Sequence, residues 1–404
     1  MKTLSKFALT VTALAIGTSC ALANPRPRDL GIEIGVMKTR QYNAITDVKG
    51  VLVGQVNVRN KDNSAMTGVT AIIPHSDNIF QNKVPAGVFL GNAFGKMAGY
   101  PQVKELGNLE TPVILTNTLS IAAGLDGLID YTFSFKGNEK VRSVNGVVGE
   151  TNDGGLNDIR SRFVTKAHVL EALKTAKSGP VEEGCVGAGS GTKAFDFKGG
   201  IGTASRVLPK KLGGYTVGAL VQTNFGGVLS IAGVPIGKLL GQYYKKSAIE
   251  SADGSCMMIV ATDAPLDARN LERLAKRAFM GLGRSGGIAS NGSGDFVIAF
   301  STAEGVRVPH DTKANQLLTT ACVANDDMSG LFMAAIEATE EAVINSLFAA
   351  KDTTGFNGKT VKALPVDKVM KLMKESGAVK TKEATFVLLH GLRHPPKPRR
   401  MSVD

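Results

Sequence analysis

Short apolar runs, each bounded by Gly, Pro, Asn or Asp, recur along the chain. This pattern is typical of buried strands. Five runs show it clearly: "GVTAIIPH", "ETPVILTNT", "VNGVVGET", "GGYTVGALVQTN" and "SCMMIVATDAP". A sixth, "SGDFVIAFST", has an unbroken apolar core, which predicts a central strand covered on both faces.

Two later segments show helical periodicity instead. In "LDARNLERLAKRAFMGLG" the apolar residues recur at i, i+3 and i+4, with Asp267 predicted as the N-cap and Gly281 and Gly283 as the end. In "SGLFMAAIEATEEAVINSLFAA" a second apolar stripe follows Ser329, the predicted N-cap. Strands covered on both faces and flanked by helices predict a layered α/β sandwich.

The first 23 residues, "MKTLSKFALTVTALAIGTSCALA", have the pattern of a secretory signal peptide. A lysine-containing head precedes an apolar run that is too short to span a bilayer, and a small-x-small site ends at Ala23. Cys20 raises the alternative of a lipoprotein, but Gly17 stands where lipid attachment requires an aliphatic residue. We therefore expect cleavage after Ala23 and export, in a bacterium to the periplasm.

Composition favours one large globular domain. The chain has 404 residues, of which 43% are hydrophobic and 20% charged, and no linker or repeat divides it. The formal net charge is +12, and the segment from about residue 390 is a basic tail with four Lys or Arg and one Asp. Aromatic residues make up 6% of the chain and there is no Trp, so basic and aromatic residues do not alternate as in nucleic-acid-binding surfaces.

Three further kinds of site lack support. Three cysteines would remain after processing (Cys185, Cys256 and Cys322), too few for a disulfide framework, although one unspecified pair could form. The five histidines show no paired ligand spacing, so no zinc site is predicted. The run "GAGSGT" lacks the third glycine of a nucleotide-binding loop and is interpreted as a close-packed turn.

The stretch "SNGSGDFVIAF" has two interpretations. Asn-Gly and Ser-Gly are ordinary turn formers, so the simple one is a hairpin entry. The other is that the bond between Gly292 and Ser293 breaks and Ser293 becomes an N-terminal nucleophile. Its new α-amino group, with an ordinary pKa of about 7.7–8.0, could take the proton of its own hydroxyl. The chain has no G-x-S-x-G elbow that would support a Ser-His-Asp triad instead.

Longer motifs resemble one family along nearly the whole mature chain. They include "YNAITDVKGVLVGQ", "GNAFGKMAGYPQVKELGNLETPVILTNTLS", "VVGETNDGGLNDIR", "ATDAPLDARNLERLAKRA" and "NGSGD". These are similar to the self-processing aminopeptidases of the L-aminopeptidase/D-esterase and β-aminopeptidase group. Two segments depart from that pattern: "KLLGQYYKKSAIESADG", which is longer than the family needs, and the basic tail after residue 389.

The resemblance implies a four-layer αββα sandwich and a precursor that cuts itself before Ser293. An α chain, residues 24–292, and a β chain, residues 293–404, would then form one domain. The implied substrates are short peptides, amino acid amides and esters, in some members with β-amino acids. No metal or organic cofactor is implied, and the αβ units are expected to form homo-oligomers.

The resemblance also implies roles for two polar residues. Asn224 would stabilise the oxyanion, because a side-chain N–H is a suitable donor to a tetrahedral intermediate. Glu150 would bind the free ammonium group of the substrate. The residues alone favour Asn224 as the cap of a strand end, and Glu150 could equally be a surface carboxylate at a turn.

In the family, the helix containing "EATEEAV" supplies a hydroxyl and a carboxylate that assist the amine of the nucleophile. Thr339 would be the hydroxyl here. Helical geometry places Glu340 with Ile336 on the buried stripe and Glu341 with Glu337 on the polar side. A buried carboxylate needs a cationic partner such as the Ser293 amine. We therefore favour Glu340 and keep Glu341 as the alternative.

Together these features predict an exported, self-cleaving serine aminopeptidase with Ser293 as its nucleophile. Two alternatives stay open at this point. One is an amidase or esterase that acts on non-peptide substrates by the same mechanism. The other is a non-catalytic periplasmic relative that binds small amines.

Overall fold

The computed structural model describes residues 24–243 and 254–379. Three features named above lie wholly or partly outside these ranges: the signal segment, the end of "KLLGQYYKKSAIESADG" and the basic tail. Within the described ranges, no helix is long and apolar enough to cross a membrane.

All six predicted strands are confirmed, as β2, β6, β7, β11, β12 and β13 below. The strands of the described chain are β1 (Leu52–Arg59), β2 (Met66–Ile73), β3 (Asn82–Ala93), β4 (Met97–Ala98), β5 (Asn108–Leu109), β6 (Val113–Asn117), β7 (Val147–Thr151), β8 (Lys193–Ala194), β9 (Phe197–Lys198), β10 (Ile201–Val207), β11 (Thr216–Asn224), β12 (Gly254–Thr262), β13 (Ser293–Ser301), β14 (Val308–Pro309), β15 (Thr353–Thr354) and β16 (Thr360–Val361). The helices are α1 (Tyr100–Leu106), α2 (Ile121–Phe133), α3 (Lys166–Lys174), α4 (Ile236–Leu240), α5 (Ala268–Arg284), α6 (Met328–Phe348) and α7 (Val366–Glu375).

Most strands belong to two mixed sheets. The five-stranded sheet has the order β1-β2-β6-β7-β4, and the seven-stranded sheet has the order β10-β11-β12-β13-β3-β14, with β5 also paired to β3. Neighbouring strands are antiparallel except for two pairs, β6 with β7 and β12 with β13. The two parallel pairs lie near the middle of their sheets, and each has a helix in its connection.

The two sheets pack face to face between two helical layers. One apolar cluster joins inward-facing residues of both sheets, among them Leu115, Met257 and Ile298. A second joins the five-stranded sheet to α2 and α3, and a third joins the seven-stranded sheet to α5 and α6. The layer order is therefore αββα, and the predicted four-layer sandwich is confirmed.

Strand β13 lies at the centre of this arrangement, and all nine of its residues are buried. Its side chains alternate: Phe296 and Ile298 point to the layer between the sheets, and Val297 and Ala299 point to the helices. The prediction of a central strand covered on both faces is confirmed. Any polar side chain on β13 is therefore held in an apolar environment.

The helix boundaries differ from the prediction at two ends, the end of α5 and the start of α6. Asp267 caps α5 as expected, since its carboxylate accepts the backbone N–H of Asn270 at 2.7 Å. However, Gly281 lies inside α5, where a Cβ would collide with α6, and the helix continues to Arg284. Helix α6 begins at Met328, one residue before the predicted cap. Gly281 therefore permits close helix packing and does not end α5.

A buried charged cluster lies beside α6. The guanidinium of Arg206, which is 0% exposed, donates to Glu337 at 3.0 Å and to Glu341 at 2.6 Å. Arg28 and Asn43 also donate to Glu341, both at 2.6 Å. The side of α6 that carries Glu337 and Glu341, which was predicted to be the polar side, is thus buried. It can be buried because Arg206 of β10 supplies the compensating positive charge. Removing one partner of such a buried pair typically costs about 3–5 kcal/mol.

The glycine-rich run and the cysteines have structural explanations. Residues 187–189 form a buried 3-10 turn, and a Cβ at Gly189 would overlap the backbone at Ile201, so the close-packed turn is confirmed. Cys185, Cys256 and Cys322 are all free thiols. Among the described residues, no group of three or more His, Cys, Asp or Glu side chains could hold a metal ion.

Candidate active site

Four strands of the seven-stranded sheet reach one edge of the sandwich together. Strand β11 ends at Asn224 and β3 at Ala93, while β12 begins at Gly254 and β13 at Ser293. Gly254 is in register with Ser293, and the next residue of β13 is in register with Ala93. The topology thus places Asn224 and Ser293 near each other although they are far apart in sequence.

A cavity of about 550 Å³ opens at this edge. Its wall includes Glu150 from β7, Asn224 from β11 and Gly292 from the turn before β13. Three lysines also lie along the wall: Lys96, Lys193 and Lys359. The cavity therefore offers a carboxylate for a cationic group and ammonium groups for an anionic one, and its volume suits a small molecule.

The turn before β13 is held by β3. The side-chain amide of Asn92 donates to the backbone carbonyls of Ser290 (3.0 Å), Asn291 (3.1 Å) and Ser293. The backbone N–H of Phe94 donates to the carbonyl of Ser293 at 3.1 Å, and the Ser293 N–H donates to the carbonyl of Ser290 at 2.9 Å. The turn is therefore fixed on both sides of the Gly292–Ser293 bond.

The hairpin interpretation of "SNGSGDFVIAF" is wrong. Strand β13 is parallel to β12, and α5 lies between them in the sequence. The antiparallel neighbour of β13 is β3, which comes about 200 residues earlier, so no tight hairpin leads into β13. The turn joins a helix to a buried strand at the edge of the cavity.

Ser293 is buried at the start of β13. The residue is 1% exposed, and its Oγ has no hydrogen-bond partner among the described residues. The chain is continuous from Gly292 to Ser293, and the carbonyl of Gly292 accepts the backbone N–H of Gly254 at 3.4 Å. The carbonyl that self-cleavage would attack therefore already contacts a donor.

Asn224 also lines the cavity, and its side chain bridges β8 and the segment that follows β7. Its Oδ1 accepts the N–H of Lys193 at 3.1 Å, and its Nδ2 donates to the carbonyl of Asn152 at 3.0 Å. Asn224 is thus the last residue of β11 and binds backbone groups there, as the strand-end interpretation predicted. Because the amide has a second hydrogen and lines the cavity, Asn224 can also donate to a bound group.

Glu150 is a buried carboxylate, so the alternative of a surface turn residue is wrong. It is 3% exposed, lies within β7 and lines the cavity. Its Oε1 accepts the backbone N–H of Lys96 at 2.9 Å, and its Oε2 accepts the Thr118 hydroxyl. The Lys96 ammonium lies 3.8 Å from Oε1 and is itself 58% exposed. A substrate ammonium could therefore approach a fixed, already oriented carboxylate.

The structure does not join the three α6 residues to Ser293 by a hydrogen bond. Thr339 is buried, and its hydroxyl has no partner among the described residues. Glu340 forms an ion pair with Arg284 at 2.7 Å. Burial raises the pKa of Glu340, with partial compensation by Arg284. The cationic partner that a buried Glu340 requires is therefore Arg284 in this structure.

Glu341 is bound on all sides by the charged cluster described above. Burial raises its pKa, but hydrogen bonds and charge from Arg28 and Arg206 outweigh burial, and the net pKa is lowered. Two arginines thus hold Glu341 ionised, whereas the one arginine paired with Glu340 is 54% exposed. Of the two carboxylates, Glu340 therefore has less of its negative charge compensated by arginine.

Sequence reasoning missed three groups at this edge: the Asn92 side chain, the Gly254 N–H and the Asp295 carboxylate. Asp295 is 0% exposed, and neither of its oxygens has a hydrogen-bond partner among the described residues. Its signal was an acidic residue inside the apolar run "SGDFVIAFST". The other two left no signal, because Asn92 is 201 residues from Ser293 and Gly254 acts through its backbone.

Comparison with known proteins identifies the family of this chain. Residues 43–361 match the model for peptidase family S58. The beta-peptidyl aminopeptidase BapA of Sphingosinicella microcystinivorans is 38% identical over 391 residues, which cover 92% of this chain and 97% of that protein.

Two solved structures share the fold. A beta-aminopeptidase from Burkholderia sp. superposes with a TM-score of 0.80 at 41% identity, covering 87% of this chain and 99% of that one. The L-aminopeptidase D-Ala-esterase/amidase from Ochrobactrum anthropi, described as a variant of the Ntn hydrolase fold, superposes with a TM-score of 0.81 at 37% identity, covering 88% and 100%. The family match and the identity along nearly the whole chain show that this protein is an aminopeptidase of peptidase family S58.

Proposed function

We propose that this aminopeptidase cuts its own chain between Gly292 and Ser293 and then uses Ser293 as its nucleophile. The observation that carries the proposal is the position of that bond. Gly292 lines the cavity, and the Ser293 hydroxyl, which has no hydrogen-bond partner within the described ranges, follows it on the buried strand β13. A cut there would expose a new amine and a hydroxyl on one rigid residue.

After the cut, the α-amino group of Ser293 serves as the base for its own hydroxyl. An α-amine has an ordinary pKa of about 7.7–8.0, so a large fraction is neutral near pH 7.5. The hydroxyl attacks the substrate carbonyl, its proton passes to the amine, and the amine then protonates the leaving group. Water finally hydrolyses the acyl ester on Ser293.

Two cavity residues complete the proposed site. Glu150 binds the free ammonium of the substrate, since its carboxylate is buried and held in place by Lys96 and Thr118. Asn224 donates an N–H to the oxyanion that forms during attack. Thr339 together with Glu340, or alternatively Glu341, positions the Ser293 amine once the new terminus is free to move.

For substrates, we propose short peptides with a free N-terminus. The name of the Sphingosinicella relative points to β-peptides as substrates. The name of the Ochrobactrum protein points to peptides of L-amino acids and to D-alanine esters and amides. Amidase or esterase activity is the second candidate function, because the Ochrobactrum protein is named for both. Export and homo-oligomer formation are also part of the proposal, and they rest on the first 23 residues and on the resemblance.

The first test is the intact mass of the purified wild-type protein. We expect two fragments, one ending at Gly292 and the other beginning at Ser293. Mass spectrometry under denaturing conditions measures both directly. A protein that hydrolyses aminoacyl nitroanilides as one uncut chain would show the proposed mechanism to be wrong.

A Glu150→Gln variant should bind substrates weakly. The amide keeps the size of the side chain but loses the charge that faces the substrate ammonium. Because hydrogen bonds to charged groups contribute about 1.5–3 kcal/mol, KM should rise roughly 10- to 100-fold while kcat changes much less. Steady-state kinetics with an aminoacyl nitroanilide measures both values.

The matched control is Glu110→Gln. Glu110 is also buried, but it accepts the N–H of Asn145 and lies beside β5, which pairs with the opposite end of β3. It should leave KM unchanged. An unaltered KM in the Glu150 variant would remove Glu150 from the substrate site.

A further inference from the structure

Self-cleavage needs a base that the finished enzyme does not need. Before the cut, the nitrogen of Ser293 is an amide that donates to the carbonyl of Ser290, and an amide nitrogen cannot accept a proton at neutral pH. The amine that serves the mature enzyme does not yet exist. Some other group must take the proton from the Ser293 hydroxyl.

Asp295 is placed to be that group. It lies two residues after Ser293 on β13, so both side chains point to the same face of the sheet. The carboxylate is fully buried, and both of its oxygens lack a hydrogen-bond partner among the described residues. An unpaired buried carboxylate is costly, and such groups are found at sites with a chemical role.

The surroundings of Asp295 leave it a usable base. Burial raises the pKa of Asp295 to about 6. The Ser293 hydroxyl and the Cys256 backbone N–H lie near enough to offset part of the effect of burial, although neither has the geometry of a hydrogen bond to Asp295. On β12, burial and Asp295 raise the pKa of the Cys256 thiol well above its usual value, so this thiol stays protonated. On β3 the residue in register with Asp295 is Asn92, which carries no charge. In the helical layer that covers this face of β13, the charge of Arg284 is already paired with Glu340.

We propose that Asp295 is the general base of self-cleavage and that the Gly254 N–H is the oxyanion donor of the same step. This inference rests on the proposed cut at Gly292–Ser293. Nothing in it depends on the mature enzyme using Asp295. It divides the chemistry between two bases, Asp295 before the cut and the Ser293 amine after it.

The step balances with water as the only co-reactant. Oγ of Ser293 forms a bond to the Gly292 carbonyl carbon, its proton passes to Asp295, and the oxyanion accepts the Gly254 N–H. Collapse breaks the C–N bond, and the departing nitrogen takes the proton back from Asp295 to become an amine. Water then hydrolyses the Gly292–Ser293 ester to a Gly292 carboxylate and the free hydroxyl.

The test is the rate of self-cleavage in the full-length precursor. Precursor recovered unfolded in denaturant is diluted into folding buffer at pH 5 to 8, and fragment formation is followed on denaturing gels. An Asp295→Asn variant should cleave at least about 100-fold more slowly than wild type at pH 7.5, because loss of a general base typically costs 10²–10⁴-fold. Circular dichroism of a Ser293→Ala precursor gives the folding rate for comparison.

The pH profile separates a base from a structural residue. A base acts only when deprotonated, so the wild-type rate should fall about tenfold per pH unit below pH 6 and level off above it. The control is Asp263→Asn, since Asp263 is a half-buried carboxyl with a raised pKa at the opposite end of β12. This control should cleave with the wild-type profile.

Each outcome bears on the inference. Cleavage of Asp295→Asn at the wild-type rate, or a wild-type rate that does not change between pH 5 and 8, would overturn the role of Asp295 while leaving Ser293 as nucleophile. The pH profile of the wild-type precursor tests the role of Asp295 even if the Asp295→Asn variant does not fold. A wild-type chain that never separates at Gly292–Ser293 would instead overturn the proposed function itself.

Discussion

A Ser293→Ala variant is expected to stay a single uncut chain and to hydrolyse no substrate. In the proposed mechanism, the substitution removes the one atom that attacks both the Gly292 carbonyl and the substrate carbonyl. Loss of a serine nucleophile in a well-studied hydrolase lowers kcat by about 10⁶, so activity should fall below detection. Intact mass and aminoacyl nitroanilide hydrolysis, measured on one preparation, check both losses.

Ser301→Ala is the matched control. Ser301 ends the same strand, is equally buried and donates to the carbonyl of Ala264 at 2.6 Å, far from the cavity edge. Its loss should leave fragmentation and turnover intact. Fragments split at residue 293 in the Ser293 variant, or wild-type turnover by it, would refute the nucleophile assignment.

An Asn224→Ala variant should separate the two activities. Its precursor should still cut itself, because the Gly292 carbonyl contacts the Gly254 N–H whereas the Asn224 amide donates to Asn152. Turnover of substrates should fall about 10²- to 10³-fold in kcat with little change in KM, as for the loss of one oxyanion donor. Fragment masses and steady-state kinetics report the two effects separately.

An Asn224→Asp variant distinguishes loss of the side-chain donor from loss of the structural bridge to Lys193. Aspartate keeps the Oδ1 that accepts the Lys193 N–H but lacks the side-chain N–H. Both variants should therefore lose kcat, although only the alanine variant loses the bridge to Lys193. Normal kcat in either one would exclude Asn224 as an oxyanion donor.

The sequence predicted those parts of the fold that depend on local pattern. The apolar core of β13 indicated a strand covered on both faces because alternate residues must pack against both layers. The cap of α5 at Asp267 was predictable because a single side chain bonds a backbone N–H three residues ahead. The αββα layer order came from the resemblance, since strand order depends on contacts between distant segments.

The environment of α6 could not be predicted from its own residues. A helical stripe containing Glu337 and Glu341 normally faces solvent. Here it is buried because Arg206 on β10 and Arg28 near the start of the chain supply the opposite charges. A pattern within one helix does not reveal a partner more than 100 residues away.

In the candidate site, too, some residues could be predicted from the sequence and others depend on contacts between distant segments. Ser293 could be identified from its turn and from the resemblance, and Glu150 and Asn224 from the resemblance alone. The clamp by Asn92 depends on the pairing of β3 with β13, which no local pattern encodes. Asp295 was visible as an acid in an apolar strand, but only the structure shows that its oxygens have no hydrogen-bond partner in the described part of the chain.

The central place of β13 determines what scission would do to the assembly. The strand pairs with β12 along its whole length on one side and with β3 on the other, and both of these neighbours precede the cut. Farther along the second fragment, the carboxylates of α6 are held by arginines of the first. Breaking one peptide bond would therefore create a permanent heterodimer, interleaved within a single sheet, whose pieces could not dissociate without global unfolding.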